Sequence, residues 1–390
     1  MLDAQSHFDR VSGLLTGDIE ARQTALAAAE AAGLPTRRLD AWHYTDLARL
    51  LKNRSDDTIA EIDFSALNPL IAAFDNGEAQ NMPAADGLVI SDFQSDIVTA
   101  DDAMLNYNAA LAQGGLVAEM SGALAQPLVI ISGGDTATHL HHKISLQDGA
   151  RAVLVDNHIN TAYSNARFDI ELGVGASLTL IRLQQVGHQV ASADIRLAAD
   201  AQFKSVAMVT GGALARQQAR VALLASGAHA ELHSAVLGGG ENHADFTYEI
   251  DHQAANTSSN TTAYNVLDEA ARGVFQGKVI VRPDAQHVDA QMQTRAMMLS
   301  DKAEMDAKPE LEIYADDVAC AHGSAIGELD RDALFFLRAR GLSAADARYL
   351  LVAGFIEQAL AHIDDEAMAE TLRVLVAAKI TDRFSAKEAA

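Results

Sequence analysis

The sequence predicts a mainly β fold, a β-solenoid flanked by N-terminal and C-terminal α-helical regions. Three observations predict it. Similar short units recur at a nearly fixed spacing through the middle of the chain, apolar residues alternate within the units, and the patterning turns helical on either side.

The units can be read directly. Ile144-Ser145-Leu146 leads to Gly149-Ala150, Ile170-Glu171-Leu172 to Gly175-Ala176, and Ile195-Arg196-Leu197 to Asp200-Ala201. Val221-Ala222-Leu223 reaches Ala228 one residue late, and the four starts lie 26, 25 and 26 residues apart. Each unit comprises a short strand, a turn of small residues and a second strand, such as residues 177–183 or 204–209. Alternation gives each strand an inner and an outer face. A single unit cannot bury its inner face, whereas stacked units bury a continuous core and pair their backbones with the rungs above and below. Fainter units at residues 278–285 and 310–314 carry the array to about residue 320. An immunoglobulin-like sandwich is the alternative, but its strands need no register of 25 or 26 residues. The expected division is a mostly helical region over 1–115, the solenoid over 116–322 and a C-terminal helical region over 323–390.

Upstream, Gly17-Asp18 precedes an Ala-, Glu- and Arg-rich segment, residues 19–32, that Gly33 and Pro35 end, which predicts a helix of about four turns. Thr45 or Asp46 is placed to cap a short helix through Leu51, and Trp42, the single tryptophan, reads as a packing anchor. Residues 53–87 read as loops and small elements. Downstream of Gly327, residues 330–340 put Leu334, Phe335, Phe336 and Leu337 on a broad apolar face, with Gly341 as the stop. Ser343 with Asp346 forms a capping-box pattern before a helix bearing Tyr349, Leu350, Phe355, Ile356 and Leu360. Asp364 or Asp365 caps a third helix, residues 367–380.

Composition narrows the function. With 29 Lys plus Arg against 53 Asp plus Glu, a formal charge of -24, the chain repels nucleic acid and anionic membrane surfaces. Residues 1–10 contain no apolar signal-like run, and no stretch reaches the roughly 18 apolar residues of a membrane span. A soluble protein of the cytoplasm is expected. The single cysteine, Cys320, cannot form an internal disulfide and is a free thiol or a ligand.

Several clusters are candidates for chemistry. In His139-Leu140-His141-His142 the first and third histidines share a strand face, as metal ligands often must, and the competing reading is a polar outer face. A cupin-type site needs a nearby carboxylate, yet Lys143 follows at once and no glutamate occurs until Glu171. His229, His233 and His243 read as scattered, solvated or locally hydrogen-bonded residues unless the fold gathers them. Gly238-Gly239-Gly240 lacks the ending of a phosphate loop, and common hydrolase motifs are absent. The last candidate is the run from Tyr314 to Asp330, in which Cys320 and His322 project from the same side of an extended chain, bringing a thiolate and an imidazole within reach of one ion. Taken alone the pair is a weak signal, because a lone cysteine is usually a small buried hydrophobe.

Ala315-Asp316-Asp317-Val318-Ala319-Cys320-Ala321-His322-Gly323, continuing to Gly327 and Asp330, resembles the signature of the SufB/SufD family, as does the following Ala333-Leu334-Phe335-Phe336-Leu337-Arg338-Ala339-Arg340-Gly341. The resemblance is strong over the C-terminal third and looser over the solenoid. The segment Arg38-Leu39-Asp40-Ala41-Trp42-His43-Tyr44-Thr45-Asp46-Leu47 resembles the SufD members more than the SufB members, as do the short length and single cysteine. The chain departs from the usual signature at Ala321, Ser324 and Ala325, so no hydroxyl lies between Cys320 and His322.

This resemblance implies a right-handed parallel β-helix and a non-catalytic scaffold subunit of the SUF iron-sulfur cluster assembly complex, working with a SufB-like paralogue and a SufC-like ABC ATPase. It implies that Cys320 and His322, the latter especially, contribute to a transient iron or cluster site near the SufB interface. The ATPase is expected to dock on the C-terminal helices, with Leu334, Phe335, Leu337, Tyr349, Leu350 and Phe355 as the contact residues. Chemistry adds a constraint: a cluster generally takes four protein ligands and this chain has one thiol, so a partner must supply the rest. No nucleotide is expected on this chain, since it lacks a phosphate loop. Two rival readings are a metal-dependent β-helix or cupin-like enzyme using His139, His141 and His142, and a self-assembling homodimer without a metal role.

Overall fold

Two facing sheets form the body of the structure, a computed structural model that describes residues 4–13, 15–55, 57–94, 97 and 99–388. Residues 1–3, part of the N-terminal stretch without a signal-like run, lie outside the described residues. Successive strands alternate between the sheets, so the chain winds as a solenoid. One sheet has ten strands, running from Glu78–Asn81 and Leu70–Asp75 at one edge to Val288–Met298 and Val318–Glu328 at the other. The other has nine, from Leu88–Ser91 and Val117–Met120 to Arg272–Val281 and Glu304–Ile313. Neighbours are parallel except at the N-terminal end, where Glu78–Asn81 and Leu88–Ser91 pair antiparallel and close off the array. Parallel pairing between consecutive rungs excludes the sandwich.

The repeat is structural. Ile144, Ile170, Ile195 and Val221 pair in register, and the ladder continues through Ile250 and Val279 to Leu311. Each turn is closed by one residue with positive φ, namely Gly149, Gly175, Asp200 and Gly227, followed by a fully buried alanine at 150, 176, 201 and 228. Glycine adopts that conformation without a Cβ clash, and a small side chain follows where the chain bends inward; later turns put Thr257 after Asn256 and Val288 after His287 at the equivalent place. Phe168, Phe203, Phe246 and Phe275 fill the interior between the sheets.

The array extends beyond its expected limits at both ends. It begins at Leu70, within the region expected to be mostly helical, because residues 70–91 supply the end strands. It ends at Glu328 rather than at residue 322, because the last strand runs on through Gly327 before Asp330 caps the next helix. Rungs after Val221 lengthen, to 29 residues between Val221 and Ile250, which is why their sequence signal is faint.

The outer faces are covered separately. Ile19–Ala32, Ala103–Leu111 and the Trp42 segment pack on the nine-stranded sheet through Leu26, Trp42, Tyr107, Val190 and Leu214. Ala344–Leu360 and Glu366–Glu388 pack on the ten-stranded sheet through Val352, Ile356, Leu372, Val206 and Val266. Strands covered on both faces need not alternate, hence the run Leu128-Val129-Ile130 with no exposure. Local signals behave as expected. Asp18 accepts from the amide of Ala21, Asp46 from that of Arg49, Ser343 from that of Asp346 and Asp365 from that of Met368. No helix among the described residues is long and apolar enough to cross a membrane.

Candidate functional site

The run from Asp317 to Asp330 forms the open end of the solenoid. Asp317 fixes the entry: it accepts at 3.0 Å from Nδ1 of His287, and its amide donates to Gln286 at 3.0 Å. Residues 318–328 then lie parallel to Val288–Met298, with Cys320 beside Ala290 and His322 beside Met292. Asp330 accepts from the amides of Asp332 and Ala333 and starts the helix Arg331–Ala339. The segment is therefore a turn, an edge strand and a helix cap in immediate succession.

Cys320 and His322 project toward the same side, as their spacing implies. Ala290 and Met292 belong to the solenoid core, so the pair continues the inner face onto a rung that nothing covers in this chain. Cys320 is half-buried and packs with Val318 against that core, whereas His322 is exposed. Burial pushes the Cys320 thiol above its ordinary value, an amide contact from Ala290 opposes this, and Asp289 adds to it. The thiol is thus protonated at neutral pH, while the imidazole faces outward.

The two ends of the array differ in kind. Antiparallel strands close the first, whereas the last presents two bare edges, Glu304–Ile313 and Val318–Glu328, with Ile313, Tyr314 and Ile326 exposed beside them. Glu304–Ile313 is guarded by Glu304, Asp306, Lys308, Pro309, Glu310 and Glu312, whereas Val318–Glu328 carries no Asp, Glu, Lys or Arg before Glu328, and a long edge of that sort pairs readily with another chain. Gly323 and Gly327 have open space where a Cβ would stand, which leaves room for close backbone approach. Beside the strand's exit an open groove of about 820 Å³, lined by Met298, Ser300, Ile326, Glu328, Arg331 and Leu334, separates the solenoid from the helix Arg331–Ala339.

That helix has no buried residue, and Phe335 is 74% exposed. Leu334 and Leu337 are half-buried, and Leu350 on the following helix is exposed. Tyr349 and Phe355 turn the other way, against the ten-stranded sheet, where Phe355 meets Tyr264 edge-on at 5.8 Å.

The histidine cluster at 139–142 does not form a centre. The Nε2 of His141 is engaged by Asp169 at 2.7 Å, and His139 packs against the rings of His7 and Tyr163. His142 faces the other side, stacked on Phe168 with its Nδ1 accepting from the amide of Leu116. These rings are core and face-covering residues, so the alternative of a metal-dependent enzyme built on His139, His141 and His142 is not supported.

What sequence reasoning missed lies on another strand. His229 and His233 are not scattered: they stand four apart on His229–Gly238 with Glu231 between them, and the fold brings His362 from the C-terminal helices onto the same spot. The spacing His-x-Glu-x-His at strand period was the available signal.

Comparison with known proteins supplies the context. A family model described as "SUF system FeS cluster assembly, SufBD core domain" matches residues 129–355. The iron-sulfur cluster assembly protein SufD of Escherichia coli is 27% identical over 367 residues, covering 86% of this chain and 87% of that protein. SufD of Bacillus subtilis is 25% identical, covering 75% of this chain and 70% of that protein. An iron-sulfur cluster assembly SufBD family protein of Synechocystis is 31% identical over 56% of this chain and 49% of its own length.

Proposed function

Since this chain belongs to the SufB/SufD family and acts in SUF iron-sulfur cluster assembly, we propose that it is a non-catalytic scaffold subunit that contributes half of a site. Cys320 and His322 bind iron or a nascent cluster as cargo, and a SufB-like paralogue pairing along the open end supplies the remaining ligands. One observation carries the reading: both donors sit on the inner side of an unpaired edge strand, where a partner strand laid on that edge would enclose them. One thiol and one imidazole leave a cluster short of two ligands. His322 is the readier donor, being exposed and needing no proton loss from a half-buried thiol.

A SufC-like ABC ATPase docks on the C-terminal helices, where Phe335, Phe336 and Leu350 are exposed. Two residues separate the helix Arg331–Ala339 from the end of the strand that carries Cys320 and His322. Movement of the helix therefore acts on the edge strand through a short connection. This chain supplies position and ligands, and the ATPase supplies nucleotide hydrolysis.

The test is co-expression with a SufB-type and a SufC-type subunit, followed by cluster reconstitution from ferrous iron and sulfide in the purified complex. His322→Ala and Cys320→Ala are expected to lower cluster yield with the complex intact. Wild-type yield in both variants would overturn the shared site, and failure to recover any ATPase would overturn the docking assignment.

A further inference from the structure

The strand His229–Gly238 lies inside the ten-stranded sheet, three strands in from the open end, and its outer face carries His229, Glu231 and His233 in succession. Among the described residues, Glu231, His233 and His362 are the one group of three possible ligands whose donor atoms all lie within 4.8 Å of one another. His362 comes from the turn between Ala344–Leu360 and Glu366–Glu388, so the group joins the solenoid to the helical unit.

Its surroundings are those of a ligand set. The Nδ1 of His233 faces the hydroxyl of Thr262 at 2.7 Å, and the Nε2 faces Glu231 at 3.1 Å. When Nδ1–H donates to Thr262, Nε2 presents its lone pair toward the carboxylate, the arrangement of a metal-binding imidazole held by an outer hydrogen bond. His229 orients the carboxylate from the other side, with Nε2 at 3.1 Å from Oε1 and Nδ1 at 2.7 Å from Ser258. The rings of His233 and His362 lie nearly parallel, their centroids 3.5 Å apart.

We infer that Glu231, His233 and His362 bind a first-row divalent transition ion, Zn²⁺ or Fe²⁺, which pins the turn at 361–365 to the solenoid. Two imidazoles and one carboxylate with further positions open is a donor set suited to both ions. The opposing charge is Lys204, whose Nζ is 3.6 Å from Glu231. It lies closer to Asp364, at 2.8 and 3.0 Å, and so is anchored at the rim of the group. The inference is independent of the roles given to Cys320 and His322.

The experiment uses the untagged full chain with Cys320→Ser and His322→Ala, which removes competition from the edge strand. Zn²⁺ is titrated by calorimetry and Co²⁺ by visible absorption. One saturable equivalent is expected, with a Co²⁺ ligand-field band and a rise in melting temperature on Zn²⁺ addition. His362→Ala, at a half-exposed turn, and Glu231→Gln should each weaken Zn²⁺ by at least about tenfold, abolish the thermal shift and keep the metal-free circular dichroism. Lys204→Met should tighten binding by removing a like charge. No saturable Zn²⁺ or Co²⁺ binding in the parent, or unchanged affinity in both ligand variants, would overturn the site.

Discussion

Arg216 and Asp245 form an ion pair from which solvent is fully excluded, both side chains being 0% exposed. They are register neighbours on adjacent strands of the nine-stranded sheet. The guanidinium lies 3.9 Å from the centre of the Trp42 ring and donates to the carbonyl of Ala41 at 2.7 Å. Asp245 also accepts from the hydroxyl of Thr45. The segment around Trp42, whose pattern resembles that of SufD members, is thus a plug whose aromatic and hydroxyl groups complete a buried charge pair on the solenoid.

Removing one partner of that pair strands a buried charge. Asp245→Ala or Arg216→Ala is expected to cost about 3–5 kcal/mol, and Trp42→Ala about as much through lost packing. Urea denaturation of the purified chain measures it. A loss below about 1 kcal/mol for Asp245→Ala, the range of an exposed pair, would show that the pair is not sealed.

Acid should destabilise the fold before carboxylates titrate. Burial depresses His142 and His158 to about 3, and His243 and His252 to about 4, from an ordinary 6.5. The unfolded chain takes up these protons near pH 6.5 and the folded chain does not. Stability is therefore fully present above that pH and falls as pH drops from it toward the folded values. Each such histidine contributes a slope of up to about 1.4 kcal/mol per pH unit. Urea midpoints between about pH 7 and about pH 5 should fall in the wild type, and less steeply in His158→Leu. An unchanged slope in that variant argues against the assignment.

His322 is exposed on an edge strand, so His322→Ala should alter the stability of the isolated chain by no more than about 0.5 kcal/mol. Paired with lowered cluster yield in the complex, that result separates a ligand role from a structural one. A large stability loss would place the ring in the fold instead.

Phe335, 74% exposed on a helix with no buried residue, offers the same separation for the proposed ATPase surface. Phe335→Asp should leave the melting temperature within about 2 °C of wild type and reduce ATPase recovery in a pull-down. Phe355→Ala, by contrast, should destabilise the chain by roughly 3 kcal/mol, since its ring packs on Tyr264. Equal effects of the two on recovery and stability would contradict the division of the apolar residues between an outer and an inner face.

Stacking and the local stops are legible in the chain alone. Stacked rungs require like residues at like positions, so the ladder from Ile144 to Val221 is written as a spacing, and caps such as Asp18, Ser343 and Asp365 act on amides three residues away. Cys320 and His322 were legible for the same reason: two donors two apart on one strand share a face whatever surrounds them. Features that depend on distant segments meeting emerge from the fold. It showed that residues 70–91 end the array as antiparallel strands, that Trp42 and Thr45 plug a charge pair on the solenoid, and that Tyr349 and Phe355 face the sheet while Phe335 does not. It also gathered His362 onto Glu231 and His233. No short-range pattern encodes such meetings, because they follow from which outer face each terminal unit covers, and that is settled by packing over the whole sheet.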